Sequence, residues 1–457
     1  MENIRVMDRY REACLALPEE IKRAGAEGRR EKILSLSVTG GALAGSRSCD
    51  VTTVSVSAAG DDGRWGYAFT QNLEEEPREV FRRAAEAGKL AGDTVAERAF
   101  GQDGGASSVV ERAESVLHAE DLLHTGIMVE KWALESHEAV TEATVTVSSF
   151  ETDNWVVNSE GLSRSAAHTW LDVEVDVVVV REGRKGNLSW YASLSGPDDL
   201  EGRKEDLERS LRRNLTARQT PVAFTSGVYR VLLSRESIDM ILVTLWQAFS
   251  GCHQREQSSF LTDRMGQRIA SKAFSMVDAP EMPGCGYGRR LDCQGIWARE
   301  TALVTDGVMT GRIHNLASAA YFGEEPTGNA GRAEGFFSGL PTGMTAIPNV
   351  TCILPGEMKE EEMLSRLGDG VWITETYDPF HSIEIGSGEF AIPCNGVRVI
   401  GGKPVGALNS LTITGNLAKL LPEIEAAGDT VAFRRFYTGL YYLGGPELLI
   451  RRLQVNG

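Results

Sequence analysis

At 457 residues, with 42% hydrophobic and 24% charged side chains, the chain exceeds one ordinary hydrophobic core and reads as a globular protein of two domains. Its 47 basic and 64 acidic side chains leave a formal charge of -17, a surface that repels phosphate backbones and argues against nucleic-acid binding. Met1 to Arg30 is dense in charge without an apolar h-region, and no stretch reaches the roughly 18 apolar residues of a membrane helix. The expectation is therefore a cytoplasmic protein, neither secreted nor membrane-bound.

In chain order, Asp8 to Ala24 reads as a charged helix and Val51 to Ala58 alternates as a half-buried strand does. Glu76 to Arg98 places Val80, Ala84, Ala87 and Ala91 at helical spacing, weakened by Gly88 and Gly92. Strand character returns over Ala143 to Ser149. A long hairpin comes next, with Leu171, Val173, Val175 and Val177 on one face of its first arm and Asp172, Glu174 and Asp176 on the other. Arg181 to Arg184 turns it, and Asn187 to Leu194 returns. Glu205 to Arg218 is a further helix, stopped before Pro221, where we place the boundary between domains 1–220 and 221–457.

The second half opens on a strand, Gly227 to Leu233. Ser234 then caps a helix over Arg235 to Phe249, with Ile238, Ile241, Leu242, Leu245 and Phe249 on one stripe. A weaker helix over Asn416 to Ala427 is interrupted by Pro422. The fold class predicted is α+β: an N-terminal sandwich-like domain of helices on a sheet, then a strand-rich domain with few helices.

Generic chemical motifs are missing. There is no phosphate-binding G-x-x-x-x-G-K-[ST], no strand-borne GxGxxG and no GxSxG elbow. Gly284-Cys285-Gly286-Tyr287-Gly288 is a glycine-rich turn. His137-Glu138 is followed by Thr141 and Glu142 in a strand pattern, so the second histidine that HExxH places on one helical face is absent. The 7 cysteines lack CxxC spacing and read as buried thiols of a reducing compartment. His253 lies in a polar turn after Cys252, and His314 on a turn of its own. With His381 they are the candidates for lining a substrate channel, although histidine more often serves structure. An independent hydrolase with a metal site drawn from Cys252, His253, His314 or His381 would need ligands converging from unrecognised spacings.

An ordered series of segments carries more information. Ser258-Ser259-Phe260-Leu261 leads to Gly266-Gln267-Arg268-Ile269-Ala270-Ser271, then to Val277-Asp278-Ala279-Pro280. Asp306-Gly307-Val308, Gly311 to Asn315 and Thr327-Gly328-Asn329-Ala330 come after, and Pro348 to Glu357 reads PNVTCILPGE. Lys359 to Leu364 begins a helix, and the segments IEIGSGEF (Ile383 to Phe390) and LTITGNL (Leu411 to Leu417) precede Ile424 to Asp429. Asn158-Ser159-Glu160-Gly161-Leu162 stands in the first half. This series resembles the TldD/PmbA family, once called modulators of DNA gyrase. The resemblance runs from about Gly41 to the end and is strongest from Val228 to Asp429.

The resemblance implies one of two subunit types. The TldD type binds zinc through an HExxxH helix and a late cysteine; the TldE (PmbA) type lacks that site and pairs with TldD as a peptide-cleaving protease. By position the metal-bearing helix falls on Leu242-Val243-Thr244-Leu245-Trp246-Gln247, which offers no zinc ligand, and no cysteine follows Asp429. The chain therefore looks like TldE. It would carry no catalytic or metal residues of its own, with zinc in a TldD-like partner and leader peptides or unfolded proteins as substrates. The alternative is a stand-alone, homodimeric binding or regulatory protein.

Overall fold

A computed structural model of the chain describes residues 2–91, 108–109, 118–181, 183–334, 341–378, 381–436 and 441–457. Its first helix, α1, spans Glu2–Leu15, which corrects the helix expected over Asp8 to Ala24. Pro18 lies just past the last turn and its carbonyl accepts from Ile21 N at 2.9 Å. From Ile21 the chain is strand, because Ala24 and Ala26 must face a core.

Three strands then begin the first sheet: the long β1 (Ile21–Thr39) and β2 (Ala42–Gly60), and the short β3 (Trp65–Thr70). Helix α2 (Pro77–Ala91) lies on β2 and β3; residues 92–98 of the expected helix fall outside the described residues. A two-residue strand β4 (Ser108–Val109) is followed by α3 (Ala119–Glu135), a helix that the sequence pattern did not announce. The hairpin strands are β5 (Val140–Asn158), β6 (Ser163–Arg181) and β7 (Arg184–Leu194), and α4 (Lys204–Thr216) closes the half. Glu182 of the predicted turn lies outside the described residues, while Gly183 adopts φ +75°, a conformation glycine allows without a Cβ clash.

The order β3-β2-β1-β5-β6, with β4 and β7 on β6, makes one seven-stranded sheet. Alternation decides what covers it. On β1, β5 and β6, residues Leu36, Val38, Val145, Val147, Trp155, Val173 and Val175 share one face and are buried, and the four helices lie on this side. The opposite face presents Phe150, Trp170 and Asp172, and these are buried too, because the second half of the chain packs there.

That second half contains a closed ring of strands and a separate sheet. The ring uses β8 (Gly227–Leu233), and α5 (Arg235–Ala248) and the single-turn α6 (Gly251–Arg255) come next in the chain. Strands β9 (Met276–Ala279), β10 (Thr301–Thr305) and β11 (Val308–Met309) start the separate sheet, and α7 (Leu316–Phe322) precedes a hairpin of β12 (Ala330–Glu334) and β13 (Pro341–Ala346). After β14 (Val350–Ile353) and α8 (Glu360–Leu367) come β15 (Gly370–Thr376), β16 (Glu389–Ile400) and β17 (Lys403–Asn416). The helix expected over Asn416 to Ala427 shrinks to α9 (Leu417–Leu420) and one 3-10 turn, and Ile424–Ala427 is strand β18. Pro422 divides the segment as expected, and burial of Ile424 and Ala426 holds the residues beyond it extended. Strands β19 (Ala432–Arg435), β20 (Tyr442–Gly445) and β21 (Leu448–Asn456) finish the chain.

β8 pairs with β15 and β21, β16 with β15 and β17, and β17 returns to β21, so five strands close on themselves. The other sheet runs β11-β10-β9-β14-β20-β19. α5 lies between the ring and β20, which explains its apolar surround: Ile238, Leu242 and Leu245 are all buried in the largest core cluster. Its predicted cap is present, with Ser234 Oγ accepting from Ser237 N at 3.2 Å. α+β architecture is the result.

Candidate functional site

The segment Leu242 to Gln247, where a metal-bearing helix is implied, is the last half of α5. β20 crosses this helix so closely that a Cβ on Gly445 would sit 3.0 Å from Ile238 Cγ2 and 3.5 Å from Leu242 Cδ1. The outer end is filled by aromatic rings. Trp246 meets Tyr441 edge-on at 5.6 Å and His253 at 6.5 Å, and Tyr441 stacks on Phe436 at 6.0 Å. These rings occupy by packing the volume a ligand sphere would need. Among the described residues no group of three or more His, Cys, Asp or Glu side chains could hold a metal ion. The residues present do not fit zinc at this position.

The three candidate histidines occupy different environments. His253 lies on α6 rather than in a turn; it is half-buried, burial lowers its pKa, and its Nδ1 has no hydrogen-bond partner among the described residues. His314 is 1% exposed, with Nδ1 2.9 Å from Ser318 Oγ and Nε2 2.9 Å from Glu324 Oε2. It packs against Gly251, where a Cβ would lie 2.3 Å from its Nδ1, so His253 and His314 stand on adjoining elements. His381 is distant in character: its side chain is 83% exposed and, among the described residues, bonds to Asp378 at 2.7 Å.

A cleft of about 170 Å³ that no single motif announced lies between the helix-free face of the first sheet and the second half. β1 supplies Glu27, Arg29 and Glu31, and the other wall carries Tyr287, Arg289, Asp292 and Arg332. The glycine-rich turn sets this wall. A Cβ on Gly286 would lie 2.0 Å from the Leu194 carbonyl oxygen, so only glycine lets Tyr287 reach the sheet. Arg332 donates to Glu27 Oε1 at 2.5 Å, while Glu27 Oε2 and Asn154 Oδ1 are buried without a partner among the described residues. Asp292 accepts from the backbone N–H groups of Gln294, Ile296 and Ala330 at 2.8–3.0 Å, and burial pushes its carboxyl up to about 6. Burial likewise raises the Cys293 thiol well above its ordinary value, which makes it a poor nucleophile. The cleft offers acceptors and guanidinium groups for an extended polar chain and no activated nucleophile.

A tight seam beside the cleft fixes the two halves. Tyr442 donates to Asp172 Oδ2 and accepts from Trp170 Nε1, both at 2.8 Å, and its ring stacks on Tyr287 at 4.5 Å. Asp172 was expected on a polar strand face; the second half buries it, and that burial raises its carboxyl to about 6.

Residues 226–457 match the family model described as PmbA/TldA metallopeptidase C-terminal domain, just over half of the chain. The chain belongs to the PmbA/TldD metallopeptidase family. It is similar to a metalloprotease of Methanothermobacter thermautotrophicus, 24% identical with 87% of each chain covered, and to the Synechocystis metalloprotease slr0863, 25% identical with 86% of each covered. The fold matches that of the crystal structure of TldE from Thermococcus kodakarensis, with a TM-score of 0.78 at 19% identity over 100% of both chains. No described helix of this family member is long and apolar enough to cross a membrane.

Proposed function

We propose that this chain is the zinc-free, TldE-like half of a two-subunit metalloprotease whose zinc resides in a TldD-like partner. The observation that carries the reading is the packing of Leu242 to Gln247: core side chains and the Trp246–Tyr441–His253 rings stand where a zinc-binding helix of this family would present its ligands. The likeness to TldE supports the same reading at the level of fold.

On this reading the chain binds peptide substrate, leader peptides or unfolded segments, and the partner cleaves it. The cleft between the two halves suits an extended backbone, because Glu27 and Asn154 hold acceptors with no partner among the described residues. Of the three histidines, His253 has the geometry that best suits a channel wall. Cytoplasmic residence belongs to the same proposal.

The test is a peptidase assay with metal analysis on this chain, on a TldD-type partner and on their mixture. Cleavage confined to the mixture, with zinc tracking the partner, is the expected result. Zinc and cleavage in this chain alone would overturn the proposal. A stable homodimer that neither binds the partner nor alters its cleavage would favour a stand-alone binding protein instead.

A further inference from the structure

A second cavity, of about 320 Å³, lies where β7 and α4 of the first half face the start of α5, the end of β15 and β19. Four of its lining residues hold oxygen atoms that are buried and have no hydrogen-bond partner among the described residues: Tyr191 Oη, which lies toward Asp172 and Tyr442 in the seam, and Asn214 Oδ1, Glu236 Oε2 and Thr374 Oγ1. Thr374 is the most telling, since the residue is only 2% exposed. It is also the extra residue of a β-bulge, because Ile373 pairs with Gly396 and Glu375 with Asn395. Bulges re-aim side chains and recur beside binding sites. A buried hydroxyl left unmet costs stability, which a bound donor would restore.

The charged side chains that line the cavity are Asp206, Glu236 and Glu375 with Arg235 and Arg434. Arg213 pairs with Glu236, Glu360 and Glu447, the latter two at 3.0 Å, and Arg235 pairs with Asp206 at 2.7 Å and Glu236 at 3.2 Å. Glu360 and Glu447 meet Arg213 outside the cavity wall, so Asp206 and Glu236 are the carboxyl groups of this network that reach the cavity. Burial works against the charge on Glu236, but Arg213 and Arg235 hold its carboxyl down at about 2, so it is ionised at neutral pH. Trp190, Tyr377 and Phe433 supply aromatic walls, surfaces that attract cations.

We infer that this cavity binds a primary ammonium group, whose three N–H donors match the three unmet acceptors of Asn214, Glu236 and Thr374. A guanidinium carries five donors in a rigid fork and would leave some unmet. In a peptide-handling protein the ammonium comes either from a lysine side chain or from a peptide N-terminus. That choice of source rests on the reading above; binding itself requires no partner subunit, so the two proposals fail separately.

The test is calorimetric titration of the full chain at pH 7 with three probes. Nα-acetyl-lysine N-methylamide has only the side-chain ammonium, alanine N-methylamide only the α-ammonium, and Nα-acetyl-norleucine N-methylamide neither. At least one ammonium probe should bind about tenfold or more tightly than the norleucine probe, and the better one identifies the source. Thr374→Val should weaken that binding about tenfold while leaving the unfolding midpoint unchanged or higher, because it deletes an unmet polar atom. Asn214→Leu carries the same expectation and decides the matter should Thr374→Val not fold. Equal binding of all three probes, no binding of either ammonium, or full affinity in the folded variants would overturn the site.

Discussion

At its first turn α5 carries Arg235 and Glu236, locked into a buried network of charges with Asp206 and Arg213. Two turns later the same helix presents Leu242, Leu245 and Trp246 to an apolar, aromatic packing against β20 and Tyr441. One end of the helix is thus held by ions and the other by shape. The difference teaches where binding chemistry can survive in this fold. The apolar end is filled by packed side chains, and its unmet polar atoms, Trp246 Nε1 and His253 Nδ1, are nitrogens, whereas the ionic end keeps unmet oxygen atoms beside a cavity. A buried charge is stabilising only while its partners stay, so the two ends should respond differently to mutation.

The largest effect is expected at the ionic end. Arg213→Ala removes a side chain only 2% exposed and leaves Glu236, Glu360 and Glu447 facing one another. It should cost about 3–5 kcal/mol in urea unfolding. A loss below about 1 kcal/mol would show that water or relaxation replaces the guanidinium, and the contrast would collapse. At the apolar end, Leu242→Ala opens a cavity at a fully buried position and should cost about 3 kcal/mol, with no change in the salt dependence of stability.

The seam between the two halves of the chain sharpens the comparison through pH. Asp172 has a folded-state carboxyl raised to about 6 by burial, above its ordinary value of about 3.9. The protonated form is therefore the one the fold prefers. This carboxyl contributes most below pH of about 4, and its contribution is lost as pH rises through about 6. Asp172→Asn keeps an acceptor for Tyr442 and sets an amide donor beside the buried hydroxyls of Tyr191 and Ser193, at the loss of the ion pair with Arg435 at 3.5 Å. It should flatten the stability profile between about pH 4 and 6 and gain about 1 kcal/mol at pH 8; a steeper profile would refute the burial argument. The smallest effect is expected at His381, whose bond to Asp378 is solvent-exposed: His381→Ala should leave the unfolding midpoint where it was.

Much of the fold was legible because it depends on local periodicity. Ser234 as a cap, the stripe of α5 and the alternation of Leu171 to Val177 each stem from backbone geometry that neighbouring residues fix. The strand β1 was not legible. Its run Lys22 to Lys32 is too charged to look like a strand, and it forms one because both neighbours, β2 and β5, pair with it along most of its length. α3 escaped notice as well, although Leu122, Val129 and Ala133 repeat at helical spacing once its ends are known.

The candidate sites divide along the same line. Sequence by itself determined what the α5 position lacks, since a residue that is not a ligand cannot become one, and it determined the family, because an ordered series of turn and strand segments survives in the chain itself. Only the tertiary structure decided which oxygen atoms share a cavity and which go unmet. Asn214, Glu236 and Thr374 lie on three separate elements, and no spacing along the chain reports that they meet. The same holds for Asp172. Its place on a polar strand face was read from alternation, but whether that face meets water or a second domain depends on packing hundreds of residues away, and burial rather than sequence sets the affinity of its carboxyl for a proton.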